Sequence, residues 1–379
     1  MNKHPLAALY DETAEVEAEL AARAPDTADH WARTRELIDT YHPKRLRLAV
    51  TAVIEETPTA TTFRLALKRG GDLPPFLAGQ YVNVFVDGTS RPFAISSTTA
   101  TRSYYDITVR RVPAGRVSNL LIDSLTVGQE LTTTGPMGTF HHNPLFHGDD
   151  VVFLAGGSGV APAMSMIREI VDRGLDLRFH LLYGSRTADD VIFREELDTM
   201  AAESPLILVD HVITDPSSEW EGATGFLTAE TISALVGPLG GRMVYVCGPQ
   251  ALYPFALDQL SALRHPRHRI RFEASGAPAR PEAQPRWPSD IDPYGQVTVT
   301  CGTASFSTPR NRPLLDALED NGIRPEVACR SGECGLCRVR VAEGTVHQAE
   351  EARPRLCDER FGYVHSCVSY PLTNVALEV

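Results

Sequence analysis

The sequence predicts a multidomain α+β chain, and three changes of rhythm carry that prediction. Residues 45–145 hold short runs in which apolar and polar residues alternate, residues 146–274 alternate strand-like with amphipathic helical runs, and residues 294–379 return to short strands around a dense group of cysteines. The first rhythm predicts an antiparallel β-barrel, the second a doubly wound parallel α/β sheet, and the third a small sheet with one helix. At 379 residues the chain exceeds what a single core usually fills, so division into domains is also expected from length.

In chain order, residues 1–44 are expected to form a helical N-terminal extension of one or two helices. Ala, Leu and Glu recur there at helix-compatible spacing, with Asp11, Glu12, Glu15, Glu17 and Glu19 early and Leu37 and Ile38 late. Its role is either a solvated extension packed on the body or a docking or oligomerisation element. The runs LRLAVTAVIEET, TTFRLAL, YVNVFV, RPFAISS, YYDITVRRV and ELTTTGPMG, bounded by Gly, Pro and Asp, supply the barrel strands. In residues 146–274, VVFLA, LRFHLLYGS, LILVDHVIT and MVYVCGP read as strands, and PAMSMIREIVDRG and ALYPFALDQLSAL as helices between them. Residues 275–293 hold five prolines and little apolar content, so a semi-rigid, extended linker is expected. Residues 294–379 supply QVTVTC, ASFST, a helix around PLLDALEDNG, and NVALEV.

Composition removes several classes of function. A formal net charge of −12 opposes nucleic acid and anionic lipid as general partners. No apolar run approaches the roughly 18 residues of a membrane span. The N-terminus lacks a signal-peptide apolar core and turns acidic within ten residues, which points to the cytoplasm, where thiols stay reduced. Seven cysteines, an odd number, fit a metal site with spare thiols better than a disulfide framework.

Cys329, Cys334 and Cys337 follow the spacing C-x4-C-x2-C, with Cys367 further on, which is the plant-type 2Fe-2S ferredoxin pattern. Gly332 and Gly335 let the loop wrap closely around a cluster. A zinc site prefers paired C-x2-C units, and only one is present. Cys301 and Cys357 fit neither spacing. In the middle of the chain, VVFLAGGSGVAPAM runs from a strand through Gly156, Gly157 and Gly159 into a helix, where backbone amides can receive a pyrophosphate. On its own a glycine turn is weak evidence, but YGSRTADD and VYVCGPQ also close predicted strands, where nucleotide clefts open. In the barrel, Arg91 of RPFAISS can pair with a phosphate, and Ser118 of GRVSNLL can hold a pyrophosphate with the surrounding amides of Gly115, Arg116 and Val117. The histidines His141, His142 and His147 suit an interdomain loop better than a metal site.

Taken together and in this order, residues 46–274 resemble the ferredoxin-NADP reductase superfamily, and residues 294–379 resemble a plant-type 2Fe-2S ferredoxin domain. The succession of the three is similar to phthalate dioxygenase reductase and related one-chain reductases. The resemblance implies a six-stranded flavin-binding barrel, a nicotinamide-nucleotide domain, and a β-grasp ferredoxin domain in which Cys329, Cys334, Cys337 and Cys367 ligate the cluster. It implies that Arg91 binds flavin phosphate, and it places Phe93 and Ala94 where the family's RxYS motif has Tyr and Ser beside the flavin. Two hydroxyls are therefore absent. Gly135 and Gly138 of GPMGTF look like the FAD-binding members, so FAD is expected over FMN. NADPH-using relatives tend to place a Ser-Arg pair after the third strand; here Thr214 and Asp215 stand there, and a carboxylate favours the free ribose diol of NADH. Ser185 and Arg186, one strand earlier, argue for NADPH. The CGP motif, Cys247, Gly248 and Pro249, implies a thiol beside the nicotinamide. A hydride brings two electrons and the cluster takes one, so a flavin is expected between NADH and the cluster. The expected electron acceptor is a separate protein, an oxygenase or demethylase component first. The other readings are a reductase for a haem monooxygenase, hybrid-cluster, desaturase or corrinoid protein, or a redox sensor without turnover.

Overall fold

Alternation in the first half of the chain becomes six strands: β1 (Leu46–Thr57), β2 (Ala60–Leu67), β3 (Tyr81–Val86), β4 (Thr89–Ala94), β5 (Tyr105–Arg110) and β6 (Glu130–Thr133). In this computed structural model the described residues are 45–379 except 114, 274, 275, 285 and 351, and in the N-terminal stretch 15, 16, 18, 19, 22, 28–41 and 43. The chain divides into two units, residues 1–44 and residues 45–379. In the first, α1 (Ala28–Tyr41) is helical and exposes Leu37 and Ile38, while most of the acidic segment expected to be helical lies outside the described residues.

The six strands pair antiparallel in the order β4-β3-β6-β1-β2-β5. An antiparallel bridge between Ile95, just past β4, and Ile107 of β5 joins the two edges into a barrel. Every second residue points inward, so Leu48 and Val50, Phe63 and Leu65, and Val82 and Val84 share one core. The helix α2 (Arg116–Ser124) closes that core by burying Val117 and Leu121, one turn apart on the same face.

The next lobe begins with α3 (Pro144–His147) and continues through β7 (Asp150–Gly156), α4 (Val160–Arg173), β8 (Arg178–Ser185), α5 (Arg194–Glu203), β9 (Ile207–Ile213), β10 (Ala223–Thr224), α6 (Ala229–Val236), β11 (Met243–Cys247), α7 (Leu252–Ala262) and β12 (Ile270–Glu273). Its strands are parallel in the order β10-β9-β8-β7-β11-β12. Along β7, Val151, Phe153 and Ala155 enter one core and Val152 and Leu154 another, so the sheet is buried on both faces. The strand following β7 lies on one side of it and β11 on the other. That reversal of strand order opens a crevice at the carboxyl ends of β7 and β11.

The last lobe contains β13 (Gln296–Cys301), β14 (Ala304–Pro309), α8 (Leu314–Asp320), β15 (Arg338–Glu343), β16 (Val346–Gln348), α9 (Leu356–Arg360), β17 (Tyr363–His365), β18 (Ser369–Pro371) and β19 (Val375–Glu378). A five-stranded sheet in the order β14-β13-β19-β15-β17 packs Val299, Val339 and Leu377 against Leu314 and Leu318 of α8, and β16 pairs with β18. The proline-rich segment before it is not the extended linker its composition suggests. Trp287 is buried against His347 and Tyr370, Pro281 is buried, and the Tyr370 hydroxyl donates to the carbonyl of Pro278 at 3.1 Å. One tryptophan supplies enough apolar surface to seat a segment that is otherwise polar.

Candidate functional site

The four cysteines of the ferredoxin pattern come together from two places in the last lobe. Cys329, Cys334 and Cys337 line the loop between α8 and β15, and Cys367 sits in the turn between β17 and β18. All four thiols are free; Cys329, Cys337 and Cys367 are buried and Cys334 is half-buried. The sulfurs interact as two pairs, Cys329 with Cys334 and Cys337 with Cys367. Two pairs of thiolates fit a two-iron cluster held by four cysteines, two to each iron. Among the described residues no three His, Cys, Asp or Glu side chains are grouped as one metal ion requires.

The loop is shaped for that role by backbone as well as by sulfur. The amides of Ser331 and Cys334 each lie 3.4 Å from Cys329 Sγ, and the Cys334 thiol first, then these groups, pull Cys329 toward the thiolate against its burial. Gly332 has φ +81°, and a Cβ there would stand 2.7 Å from Val368 Cγ2 and 3.0 Å from Ala352 Cα, so only glycine fits. Arg330 anchors the loop to Glu319 and Asp316 of α8, and Ser366 donates its hydroxyl to the carbonyl of Cys337 at 2.6 Å. Cys301 and Cys357 take no part, one half-buried in β13 and the other exposed on α9.

At the crevice of the parallel sheet, backbone meets backbone. A Cβ on Gly159 would fall 2.1 Å from the carbonyl oxygen of Cys247, and one on Gly248 would fall 3.2 Å from Cα of Gly156 and 2.7 Å from Leu252 Cδ2. The GGSG turn and the CGP turn therefore touch, and a pyrophosphate can reach the amides at the start of α4 because no side chain caps that helix. Pro249 borders Gly156, and Gly157, at φ +52°, lies under the guanidinium of Arg110. Cys247 is buried, and burial together with the charge of Glu273 pushes its thiol well up, so it stands as a neutral thiol. Ser185 is buried at the end of β8 and Arg186 exposed beyond it. The amide of Asp215 donates to the carbonyl of Arg186 at 2.7 Å, which places the two opposing specificity signals side by side at one corner of the crevice.

On the barrel, α2 opens with Gly115 as its N-cap, and no side chain caps its first amides. A Cβ on Gly115 would stand 2.5 Å from Ser118 Oγ, so the absent side chain leaves room between the turn and the serine. Arg91, on β4, donates to the carbonyl of Ser90 at 2.8 Å and has no carboxylate partner among the described residues, and its neighbour Arg330 adds a second positive charge. An unpaired guanidinium and an uncapped helix start fit the phosphates of a flavin nucleotide. Arg116 instead pairs with Asp87 at the surface. Phe93 packs toward the barrel core, whereas Ala94 lies on the opposite face of β4, across the ladder from Tyr81.

All three lobes meet beside this face. Ser90 Oγ donates to the carbonyl of Ala328 at 2.7 Å, and Thr139 donates its amide and hydroxyl to Glu333 Oε1 at 2.8 and 3.0 Å. Arg271 of the nucleotide lobe donates to the carbonyl of the same Thr139. A cavity at the junction is lined by Thr139, Phe140, Tyr253, Glu273, Ser331 and Glu333. Burial, then Glu333, pushes the carboxyl of Glu273 well above the usual range. Tyr81, Glu273 and Glu333 are not among the residues that the sequence singles out; in one dimension Tyr81 is merely the first residue of an alternating strand. The three histidines of the interdomain loop are engaged locally: His141 Nδ1 lies 3.1 Å from the carbonyl of His142, His142 hydrogen-bonds the carbonyl of Gly148, and His147 accepts from the amide of Asn143 and meets the Tyr245 hydroxyl at 2.5 Å.

Comparison with known proteins agrees with this arrangement. Three family models match in succession: an oxidoreductase FAD-binding domain over residues 47–142, an oxidoreductase NAD-binding domain over residues 153–258, and a 2Fe-2S iron-sulfur cluster binding domain over residues 297–372. The chain is 30% identical over 349 residues to a glycine betaine monooxygenase reductase subunit of Chromohalobacter salexigens, covering 86% of this chain and 93% of the relative. It is also 30% identical over 331 residues to a phthalate 4,5-dioxygenase reductase subunit of Pseudomonas putida, covering 86% and 94%. Among solved structures, phthalate dioxygenase reductase superposes with a TM-score of 0.62 at 26% identity, over 88% of this chain and 98% of that one. FAD, a nicotinamide nucleotide and a 2Fe-2S cluster are thus its cofactors, and no described helix is long and apolar enough to cross a membrane. With three cofactor domains in one chain and relatives matched over nearly their whole length, the protein belongs to the phthalate dioxygenase reductase-like, flavin- and iron-sulfur-containing electron-transfer reductases of the ferredoxin-NADP reductase superfamily.

Proposed function

We propose that this protein takes electrons from NADH at the Gly156–Cys247 crevice and delivers them singly, through FAD and the 2Fe-2S cluster, to a separate oxygenase component. The observation that carries this reading is the junction at Thr139, where the cluster loop, the flavin barrel and the nucleotide lobe are held by hydrogen bonds to one residue. When bound, FAD accepts a hydride and releases electrons one at a time, which is what couples a nicotinamide to a one-electron cluster. The chain's part is to position. Arg91 and the start of α2, with Gly115, Val117 and Ser118, hold the flavin phosphates, with Arg116 at the rim. Gly156, Gly157, Gly159, Gly248 and Pro249 form the nucleotide crevice, and Cys247 offers a neutral, soft surface to the nicotinamide. Cys329, Cys334, Cys337 and Cys367 hold the cluster. We assign lobes at residues 45–145, 146–274 and 294–379, with 1–44 as an extension and 275–293 as a seated connector.

Asp215 beside Arg186 supports NADH: the carboxylate accepts from a ribose diol and offsets the guanidinium that a 2′-phosphate would need. The relatives named as monooxygenase and dioxygenase reductase subunits support an oxygenase as acceptor, a role in keeping with a cytoplasmic protein whose ligand thiols are reduced. Anaerobic addition of NADH to the purified protein tests the reading. Flavin and cluster absorption should both bleach, and a stoichiometric oxygenase component should then turn over. Colourless protein, or a cluster that NADH leaves oxidised, would refute it.

A further inference from the structure

Tyr81 is buried, with 2% of its surface exposed, yet its hydroxyl has no hydrogen-bond partner among the described residues. A buried hydroxyl without a partner is uncommon, because leaving it unsatisfied forfeits the bonds it makes in water. The side chain's surroundings show where a partner has to come from. In the β3–β4 ladder Tyr81 lies directly opposite Ala94, so the two side chains leave the sheet on the same face. Arg91 and Phe93 leave on the other, with Val84 and Val82. The Tyr81 ring packs on Gly138, where an added Cβ would stand 2.8 Å from the ring and 3.8 Å from Glu333 Oε2. Tyr81 therefore occupies the barrel face at which the cluster loop and the nucleotide lobe converge. The cysteine sulfurs are already in place on that side, and Tyr81 does not bond them, so the missing partner is not a cysteine.

We propose that Tyr81 is a positioning residue for the flavin, its hydroxyl donating to a polar atom of the isoalloxazine and so standing in for the hydroxyl that Ala94 lacks. This inference rests on the flavin reading above. Burial first, and then the charges of Glu333 and Cys329, push the phenol's pKa well above the ordinary range, which keeps the group a donor at any working pH. Phe93 calls for no such replacement, because it faces the barrel core.

The test compares wild type with Tyr81→Phe and with Tyr81→Phe/Ala94→Ser, each as the full chain. In the flavin-free protein Tyr81→Phe should melt at the wild-type temperature or above, since it removes only an unsatisfied hydroxyl. In the loaded protein the FAD dissociation constant should rise about three- to tenfold, the scale of one lost hydrogen bond. The flavin absorption bands and midpoint potential should shift while the visible circular dichroism of the cluster stays put. Adding Ala94→Ser to Tyr81→Phe should recover at least part of the flavin shift. The proposal is overturned if FAD affinity and flavin spectrum are unchanged, if the cluster signal moves instead, or if the flavin-free variant is destabilised as much as the loaded one. A wild-type protein that binds no flavin would overturn the functional reading itself, a result distinct from any of these.

Discussion

Replacing Gly159 by alanine tests the nucleotide crevice at its tightest point. Gly159 has φ −65° and ψ −4°, a conformation alanine adopts freely, so backbone strain adds nothing. All of the effect comes from space. The new Cβ would stand 2.1 Å from the carbonyl oxygen of Cys247, 2.4 Å from its carbon and 2.6 Å from the amide nitrogen of Gly248, all main-chain atoms that no rotamer change can move. Relief requires the CGP turn to retreat by about 1 Å from α4, and overpacking of this kind costs about 1–3 kcal/mol. If that cost falls on the crevice, NADH binding weakens about five- to 150-fold, at 1.4 kcal/mol per decade. Gly174, at the other end of α4, is the control: its φ is +60° with nothing within 4 Å of an added Cβ. Gly174→Ala should lose about 1 kcal/mol of stability through left-handed strain and leave NADH affinity alone. The assays are thermal melts and anaerobic NADH titration of the loaded protein. Wild-type NADH affinity in Gly159→Ala, or an equal loss in both variants, would refute the reasoning.

Three further outcomes are expected. Arg91→Ala removes charge-assisted contacts worth about 1.5–3 kcal/mol to a phosphate, so FAD affinity should fall about ten- to 150-fold, read by flavin fluorescence on dilution; unchanged retention would remove Arg91 from the site. Cys367→Ala takes one sulfur from the buried Cys337–Cys367 pair, and iron and acid-labile sulfide should be lost while NADH still bleaches the flavin. Burial, helped by the charges of Arg271 and His142, holds His147 down to about 4 from 6.5. A folded-state value below the unfolded one means that the unfolded chain binds the extra proton first, so the stability is present above pH 6.5 and is lost as pH falls to about 4. It amounts to roughly 3 kcal/mol, and His147→Gln should flatten that part of the stability–pH curve in urea melts.

The sequence discloses best what short-range chemistry dictates. Cysteine spacing is read directly because four sulfurs must reach two irons, and Gly332 is a glycine because its own turn takes φ +81°; Gly159 is one only because Cys247, far along the chain, comes against it. The continuous apolar run of β7 announces a strand buried on both faces. What stays hidden are relations across domains. Tyr81 and Asn83 alternate with Val82 and Val84 as if they faced water, yet both are buried: the Tyr81 ring packs on Gly138 with Glu333 of the last lobe behind it, and Asn83 meets Thr134 and Met137. The segment before β13 misleads for a similar reason: its prolines suggest an extended tether, and the single Trp287 that seats it has no periodic neighbours to announce it. Arg186 and Asp215 pull in opposite directions when read 29 residues apart; the parallel pairing of β8 with β9 makes them neighbours.

The seating of that segment changes how electron delivery has to work. A loose tether would let the ferredoxin lobe shuttle between the flavin and its acceptor, and each transfer would then wait on a search by diffusion. Here Trp287 folds the connector onto the ferredoxin lobe itself, which shortens the free tether, and the cluster loop is held to the barrel by Ser90 and Thr139. Thr139 also accepts from Arg271, so moving the cluster away would disturb the placement of the nucleotide lobe through the same residue. Undocking therefore means breaking several hydrogen bonds at once and exposing the buried Glu273 region, a cost that a lobe on a flexible linker would not meet. Glu333 of the loop faces inward to Thr139, while residues 334–336 are half-buried, with Cys334 the least buried of the four cysteines.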